Sequence, residues 1–212
     1  MPPTDVVVPA HNEAAGIAAV LEAIASAPGV ARLIVVLDDC TDGTAEIART
    51  YASELVSIAA GNKGSAMAAG LERTGTDTVA FIDADLIGLR PEHVSALCSM
   101  GPPTGQLVGL RGDVPKLLGA LPSISGERRV PAALARSVKL AGAGWRAETI
   151  LNAAIARARL PWKHIRLEGV SNPSKAVSSP LGLLEELLDV AYVAAVFAPE
   201  LLRYVLTPQG AP

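Results

Sequence analysis

The first ninety residues alternate short apolar runs with longer segments of helical composition. Runs rich in branched aliphatic residues are predicted as strands at 5–8, 32–37, 55–58 and 78–82. Helices are predicted between them at 13–26, 44–54 and 65–73. Pro9 is expected to end the first strand. Strands joined by helices of this length form βαβ units, so the pattern predicts an α/β fold with a mainly parallel sheet covered on both faces.

The pattern beyond residue 90 is less regular. Helices are predicted at 91–100, 131–140 and 147–159, and strands at 106–110 and 163–170. A long apolar helix is predicted over 181–206, in which residues 190–198 carry no charge. A spanning helix needs about 20 such residues, so this run alone is not expected to cross a membrane. Packing on the domain, a dimer contact and a membrane interface stay open as its role.

Charge divides the chain unevenly. Residues 1–100 contain 5 basic and 13 acidic residues, whereas residues 101–180 contain 12 and 4. This suggests carboxylates for a metal in the first part and cations for an anionic partner in the second, although ordinary surface charge can also segregate. The basic part lacks interleaved aromatic residues, so nucleic acid is not expected. Cys40 and Cys98 fit neither a disulfide framework nor a zinc site, and the N-terminus shows no signal-peptide pattern, so a cytoplasmic location is expected.

Four polar loops follow the four predicted strands, at residues 9–13, 38–44, 61–65 and 83–85. The carboxyl ends of parallel strands meet at one edge of a sheet, where open α/β proteins bind ligands. Asp83 and Asp85, two residues apart, are hard ligands suited to Mg²⁺ or Mn²⁺, which bind through one or two carboxylates plus substrate phosphates. The alternative is that they only end the strand. This edge of the sheet therefore carries polar groups, a lysine and carboxylates, which are the groups that a nucleotide with a metal-bridged diphosphate requires.

These loop motifs, in this order, resemble those of family 2 inverting glycosyltransferases of the GT-A fold. The chain is similar to the glucosyl-3-phosphoglycerate synthases and the polyprenyl-phosphate sugar synthases, closely over residues 5–90 and loosely over 100–175. The resemblance implies a GT-A domain over 1–180. Within it, 1–100 would form the nucleotide-sugar half and 101–180 the acceptor half, with a C-terminal apolar helix and tail over 181–212.

The resemblance also implies a nucleotide pocket. Pro9, Ala10 and Glu13 would line it, Asp38 would meet the base, and Lys63 would approach the diphosphate. The second loop is one residue shorter than is common in the family, because only Cys40 stands between its paired acids and the following Thr-Asp-Gly-Thr. Glu13 can instead be an acid favoured by a helix N-terminus, and Lys63 an exposed loop lysine.

A metal site is implied next to that pocket. Asp85 would bind Mg²⁺ or Mn²⁺, and Asp83 would hold the ribose or a metal-bound water. Related enzymes often supply a late histidine to the metal, and Asn172 occupies that position here. His164 is eight residues earlier and is interpreted as structural.

The acceptor half offers fewer candidates. Segments 125–131 and 144–148 resemble the acceptor region of these transferases. Glu148 is a candidate for the base that takes the acceptor proton, and Glu127 is a second candidate. The alternative for Glu148 is a helix N-terminal acid, and the alternatives for Glu127 are a cap and an ion pair. Arg128 and Arg129 are candidates for binding a phosphate in forked geometry, or else form a solvated pair.

The sequence therefore predicts a metal-dependent enzyme that transfers a sugar, with inversion, from a UDP- or GDP-linked donor. The acceptor is expected to be anionic, either a polyprenyl phosphate at the inner membrane face or a soluble phosphorylated molecule. A homodimer through the C-terminal helix is the alternative to membrane contact. Two other functions stay open, a nucleotide-sugar-binding protein with a decayed acceptor site and a sugar-phosphate nucleotidyltransferase.

Overall fold

The computed structural model describes residues 2–100, 104–111 and 125–172, and beyond them Ala198, Pro199, Leu202 and Leu206. The strands are β1 Thr4–Ala10, β2 Val30–Asp38, β3 Glu54–Ile58, β4 Thr78–Phe81, β5 Gln106–Arg111, β6 Arg128–Pro131 and β7 Trp162–Leu167. The helices are α1 Ile17–Ala25, α2 Thr44–Tyr51, α3 Lys63–Arg73, α4 Pro91–Ser99, α5 Ala132–Arg136 and α6 Ala147–Arg157, and a single 3₁₀ turn, Gly144–Arg146, precedes α6.

The described strands form one sheet in the order β3-β2-β1-β4-β6-β5-β7. Strands β1 to β4 are mutually parallel, and β5 and β7 also pair in parallel. Strand β6 runs antiparallel to both of its neighbours, β4 and β5. The predicted α/β fold with a mainly parallel sheet is confirmed, and the four loops after β1 to β4 do lie at one edge.

Two apolar clusters cover the two faces of the sheet. Val6 and Val8 of β1 pack towards α1, α2 and α4, whereas Val7 packs towards α3, α5 and α6. Successive side chains of a strand point to opposite faces, so a continuous run of valines supplies both clusters at once. This two-sided burial explains why the strands are apolar throughout and not alternating.

Two expectations about the elements are wrong, and one strand was not expected. Pro9 does not end β1, which continues to Ala10. Val7 accepts a hydrogen bond from Ile82 on the β4 side, and the backbone of Pro9 faces the same side beyond the end of β4, where no N–H is required. The helix predicted at 131–140 ends at Arg136. Strand β6 was not predicted, because its sequence begins with two arginines.

The C-terminal helix predicted over 181–206 lies almost wholly outside the described residues. Ala198, Pro199, Leu202 and Leu206 are helical and exposed. Among the residues that the structure describes, no helix is long and apolar enough to cross a membrane.

Candidate functional site

A cleft of about 500 Å³ lies at the carboxyl ends of β1 to β4. All four predicted loops contribute to it, together with the turn before α6. It is lined by Pro9, Ala10, His11, Glu13, Asp38, Gly61, Asn62, Lys63, Ala66, Asp83, Ala84, Asp85, Gly144 and Trp145. The sequence therefore identified the edge of the sheet and most of the residues that form the cleft wall.

The first two loops are tied together by hydrogen bonds. The Glu13 N–H donates to Thr44 Oγ1 at 2.8 Å, and the Ala14 N–H donates to Asp42 Oδ2 at 3.1 Å. Burial, followed by the charges of nearby carboxylates, Asp85 foremost, raises the pKa of Glu13. Glu13 thus faces the other acids of the cleft, as its predicted place in the nucleotide pocket requires.

Asp38 shapes the third loop. Its Oδ1 accepts from the N–H groups of Ala60 and Gly61 at 2.8 and 3.0 Å, and its Oδ2 accepts from the Asn62 N–H at 2.9 Å. The carboxylate is buried at the cleft wall, and the contact with a base stays a prediction. His11, to which no chemistry was assigned, also lines the cleft, and its Nδ1 lies 2.6 Å from the Asp38 carbonyl oxygen.

Helix α3 begins at the cleft and places Lys63 there. Asn62 caps the helix, because its Oδ1 accepts from the Ser65 N–H at 2.9 Å. Gly64 follows, and a Cβ at this position would collide with the carbonyl oxygen of Leu140 and crowd the Gly144 nitrogen. The Asn-Lys-Gly motif therefore has a local reason: a cap, a functional side chain and a residue small enough for the turn before α6 to approach.

Lys63 is the centre of a buried ion triple. Its Nζ lies 2.6 Å from Asp83 Oδ1 and 2.7 Å from Glu148 Oε1, and only a tenth of the side chain is exposed. Burial lowers the pKa of Lys63, but the charges of Asp83 and Glu148 outweigh burial and raise it overall. The interpretation of Lys63 as an exposed loop lysine is wrong. Its ammonium is held by two carboxylates, and an approach to a diphosphate stays a prediction.

The two candidate bases differ in their surroundings. Neither of them lines the cleft. Glu148 lies behind Lys63, and its Oε2 is buried without a hydrogen-bond partner among the described residues. Glu127 is fully buried and contacts the Ser125 hydroxyl through Oε2.

The two acceptors around the Ser125 hydroxyl favour the protonated form of Glu127. The hydroxyl has one proton and also lies 2.7 Å from the Gly109 carbonyl oxygen, which can only accept. A protonated Glu127 that donates to Ser125 satisfies both contacts. Burial, with Asp83 as the next cause, raises the pKa of Glu127, which agrees with this assignment. A neutral carboxyl cannot take a proton, so the geometry favours Glu148 over Glu127 as the base.

Asp83 and Asp85 follow β4 and both line the cleft. Gly126 packs so tightly against the Asp83 carboxylate that a Cβ there would overlap both oxygens. Asn172 lies beside Asp85, as its position in the sequence predicted, but its Nδ2 donates to Asp85 Oδ1 at 2.7 Å. In this arrangement Asn172 orients the carboxylate, and its role as a metal ligand stays a prediction.

The donor set is compatible with a hard divalent cation. The described residues contain no group of three or more acidic, histidine or cysteine side chains arranged around a common metal position. Mg²⁺ requires fewer protein ligands, because it keeps several waters and shares substrate phosphates. The carboxylates of Asp83 and Asp85 converge with Glu13 closely enough to raise its pKa, and a cation would relieve this repulsion.

The structure separates Arg128 and Arg129. Arg128 is buried and donates to the Ser125 and Glu148 carbonyl oxygens and to Asn152 Oδ1. Arg129 points to the other face and donates to the Cys98 carbonyl oxygen at 3.2 Å. Neighbouring residues of a strand face opposite sides, so the two guanidinium groups do not form a fork around one phosphate. They are not a solvated pair either, because both are buried.

Trp145 lines the cleft but was given no role from the sequence. Its ring lies 5.3 Å from Lys63 Nζ, and 60% of the residue is exposed. Its place in the motif at 144–148 was visible in the sequence, whereas its exposure depends on how the turn before α6 packs against α3.

Comparison with known proteins identifies the class. Residues 5–96 match the family described as "Glycosyl transferase family 2". This segment contains β1 to β4, all four loops and most of the cleft wall. The matched segment is thus similar to family 2 of the glycosyltransferases, and the fold of the described residues is similar to that of solved glycosyltransferases.

Individual relatives agree with this assignment. The chain is 32% identical over 98 residues to the 4,4'-diaponeurosporenoate glycosyltransferase of Staphylococcus aureus, covering 43% of this chain and 26% of that protein. It thus spans about a quarter of the length of the curated relatives it matches. Glucosyl-3-phosphoglycerate synthase from Mycobacterium tuberculosis, solved with Mn²⁺, UDP and glucosyl-3-phosphoglycerate, is 25% identical with a TM-score of 0.69, covering 98% of this chain and 81% of that one. A complex of the same enzyme with Mn²⁺, UDP-glucose and phosphoglyceric acid has the same values.

Proposed function

We propose that this chain transfers a sugar from a nucleoside diphosphate sugar to an acceptor with inversion at the anomeric carbon. The observation that carries the proposal is the cleft at the ends of β1 to β4, where Asp83 and Asp85 face Glu13 and Asp38. UDP-linked donors are the first to test, because the similar synthase was solved with UDP and UDP-glucose.

Asp85 and Asp83 are the residues that would hold Mg²⁺ or Mn²⁺. Such an ion supplies charge that stabilises a diphosphate leaving group. Asn172 keeps Asp85 in place through its hydrogen bond, and the tight contact with Gly126 does the same for Asp83. Both carboxylates are thus fixed at the edge of the sheet before a ligand arrives.

The transfer forms one bond and breaks one. The acceptor oxygen attacks the anomeric carbon, the bond from that carbon to the diphosphate oxygen breaks, and the electron pair leaves with the nucleoside diphosphate. If the nucleophile is a hydroxyl, its proton must be accepted, and we assign this role to Glu148. The support is its unpartnered Oε2 and its shared contact with Lys63 next to Asp83.

Calorimetric titration with UDP and GDP, with and without Mn²⁺, tests the donor part. Binding of at least one nucleotide that Mn²⁺ strengthens is expected, and Asp85→Asn should remove the effect of Mn²⁺. Asp77→Asn is the matched control, because Asp77 is exposed at the opposite end of β4. A folded protein that binds neither nucleotide in the presence of Mn²⁺ would refute the proposal.

Product analysis tests the transfer part and the alternative of a binding protein. Glu148→Gln should lower kcat by about 10²- to 10⁴-fold without weakening nucleotide binding. Glu127→Gln should keep most of the activity, because an amide resembles the neutral carboxyl. Nucleotide binding without transfer or donor hydrolysis would favour the binding protein.

The identity of the acceptor is the part of the proposed reaction that the described residues constrain least. The predicted lipid phosphate, the membrane contact and the homodimer all depended on the helix at 181–206, which lies outside the described residues. They remain predictions.

A further inference from the structure

Two groups crowd the carboxylate of Asp83 at the wall of the cleft. The ammonium of Lys63 lies 2.6 Å from its Oδ1, and Gly126 approaches so closely that a Cβ there would overlap both oxygens. Only 7% of the Asp83 side chain is exposed, although the residue lines the cleft. A cation that enters the cleft therefore meets Lys63 at this carboxylate.

The backbone of Lys63 is fixed, whereas its side chain can change partner. Asn62 caps the helix that begins at Lys63, and Gly64 lies so close to the Leu140 carbonyl oxygen that no larger residue fits. The lysine side chain is a flexible four-carbon stem that ends in a compact charge with three donors. Rotation about the stem can thus move the ammonium between acceptors without moving α3.

A divalent cation and the ammonium of Lys63 cannot both bind Asp83 closely. Each would lie within a few ångströms of the same carboxylate, and like charges at this distance repel each other even where water screens them. Asp83 and Asp85 are the proposed ligands of Mg²⁺ or Mn²⁺. Lys63 therefore lowers the affinity of these two carboxylates for a cation as long as its ammonium stays on Asp83.

A nucleotide diphosphate offers the ammonium another partner. Among the described residues that line the cleft, Lys63 has the one permanent positive charge. The oxygens of a diphosphate are strong acceptors for an ammonium. Glu148 Oε1 lies 2.7 Å from the same ammonium and Glu148 does not line the cleft, so it can keep one of the three donors while the others turn to the diphosphate.

We propose that Lys63 competes with the divalent cation for Asp83 and exchanges this carboxylate for the diphosphate when the nucleotide binds. The cation then binds weakly without nucleotide and tightly with it. Because such coupling is reciprocal, the nucleotide also binds more tightly once the cation is present. This inference rests on the proposed donor and metal site, and it adds how the loading of that site is controlled.

Titration with Mn²⁺ in the absence of nucleotide, followed by the electron paramagnetic resonance of the unbound ion, tests the competition. Lys63→Met should bind Mn²⁺ more tightly than the parent by about tenfold or more, the size expected when a unit charge is removed a few ångströms from a divalent cation. A variant that only loosens the fold would bind more weakly. Lys139→Met is the matched control, because Lys139 is exposed and lies outside the cleft lining, and it should change nothing.

Two further variants connect the gain to the contact with Asp83. Glu148→Gln leaves Lys63 on Asp83, so it should not raise the affinity for Mn²⁺. Adding Asp83→Asn to Lys63→Met should cancel the gain, because the carboxylate that Lys63 had covered is gone.

The same titration with saturating UDP measures the coupling. UDP should increase the affinity for Mn²⁺ by a smaller factor in Lys63→Met than in the parent, because the variant has no ammonium to exchange. Mn²⁺ alone should also raise the urea midpoint of Lys63→Met more than that of the parent, since a ligand stabilises the folded state in proportion to its affinity. If Lys63→Met does not fold, the double variant with Glu148→Gln, which leaves only one carboxylate without its cation, replaces it in all of these measurements.

The outcomes separate the two proposals. A parent protein that binds no Mn²⁺ even with UDP or GDP refutes the proposed donor and metal site. A parent that binds Mn²⁺ with nucleotide, combined with no gain in Lys63→Met or with a gain that persists after Asp83→Asn, overturns the competition and leaves the proposed transferase standing.

Discussion

Replacing Lys63 by methionine should strongly destabilise the protein. Methionine keeps the length and the apolar stem of the side chain but leaves Asp83 and Glu148 buried without their shared cation. Removal of one partner from a buried ion pair costs about 3–5 kcal/mol, because the remaining charge is uncompensated. A domain of ordinary stability has about 5–15 kcal/mol, so a folded but weakened variant is expected.

Urea unfolding at pH 7.5, followed by circular dichroism, measures this loss. The midpoint should fall while the slope of the unfolding free energy against urea concentration stays near that of the parent. Lys139→Met is the control, because Lys139 is exposed, and it should change stability by less than about 0.5 kcal/mol.

Adding Glu148→Gln to Lys63→Met removes one of the two stranded charges. The double variant should be more stable than Lys63→Met alone, with a coupling of about 1–3 kcal/mol for residues in direct contact. Additive effects, or a loss below 1 kcal/mol in Lys63→Met, would show that the ion triple does not form as described.

The pH dependence has a defined sign. The pKa of Lys63 is raised in the folded protein, so its contribution is complete below its ordinary pKa of 10.5 and is lost only as the pH rises through the higher folded value. The parent should therefore keep this contribution between pH 6 and 9. The stability difference between the parent and Lys63→Met, measured by urea unfolding, should stay constant over this range.

Three further predictions follow from single contacts. Gly126→Ala should weaken Mn²⁺-dependent nucleotide binding at least tenfold in calorimetry, because its Cβ displaces the Asp83 carboxylate, whereas Gly16→Ala, with open space around the Cβ, should not. Asp5→Asn should cost about 1–3 kcal/mol in urea unfolding at pH 7. Burial opposes it, but a hydrogen-bonded arginine lowers the pKa of Asp5, so the loss should vanish as the pH falls below 3.8. Glu13→Gln should stabilise the ligand-free protein at pH 7, because burial and neighbouring acids raise the pKa of Glu13, and the gain should disappear on acidification through that raised value.

The nucleotide half of the fold could be predicted because its local and tertiary signals agree. Apolar runs such as 32–37 are buried on both faces of the sheet, so composition alone identifies them as strands. The loops after them carry residues with local structural reasons, such as the cap at Asn62, so motif and geometry coincide.

The acceptor half could not be predicted to the same depth because its charges are buried. Two adjacent arginines, Arg128 and Arg129, predict an exposed segment from composition alone. In the structure they form the first half of the buried strand β6. Besides the nearby Ser125 carbonyl oxygen, their partners are distant in sequence: Arg128 donates to the Glu148 carbonyl oxygen and to Asn152, and Arg129 donates to the Cys98 carbonyl oxygen. The surroundings of Glu127 are hidden as well, because its partner Ser125 also contacts the Gly109 carbonyl oxygen of β5.

The ion triple of Lys63, Asp83 and Glu148 also connects the nucleotide half of the chain to the acceptor half. Lys63 belongs to the nucleotide half, and it bridges Asp83 after β4 to Glu148 on α6. Directly beside it, Gly64 brings α3 into backbone contact with the turn that carries Trp145. The side-chain bridge and the backbone contact act on the same two elements. The aromatic end of the cleft is therefore held in a fixed position relative to the carboxylates after β4, so the wall of the cleft is organised before a substrate binds.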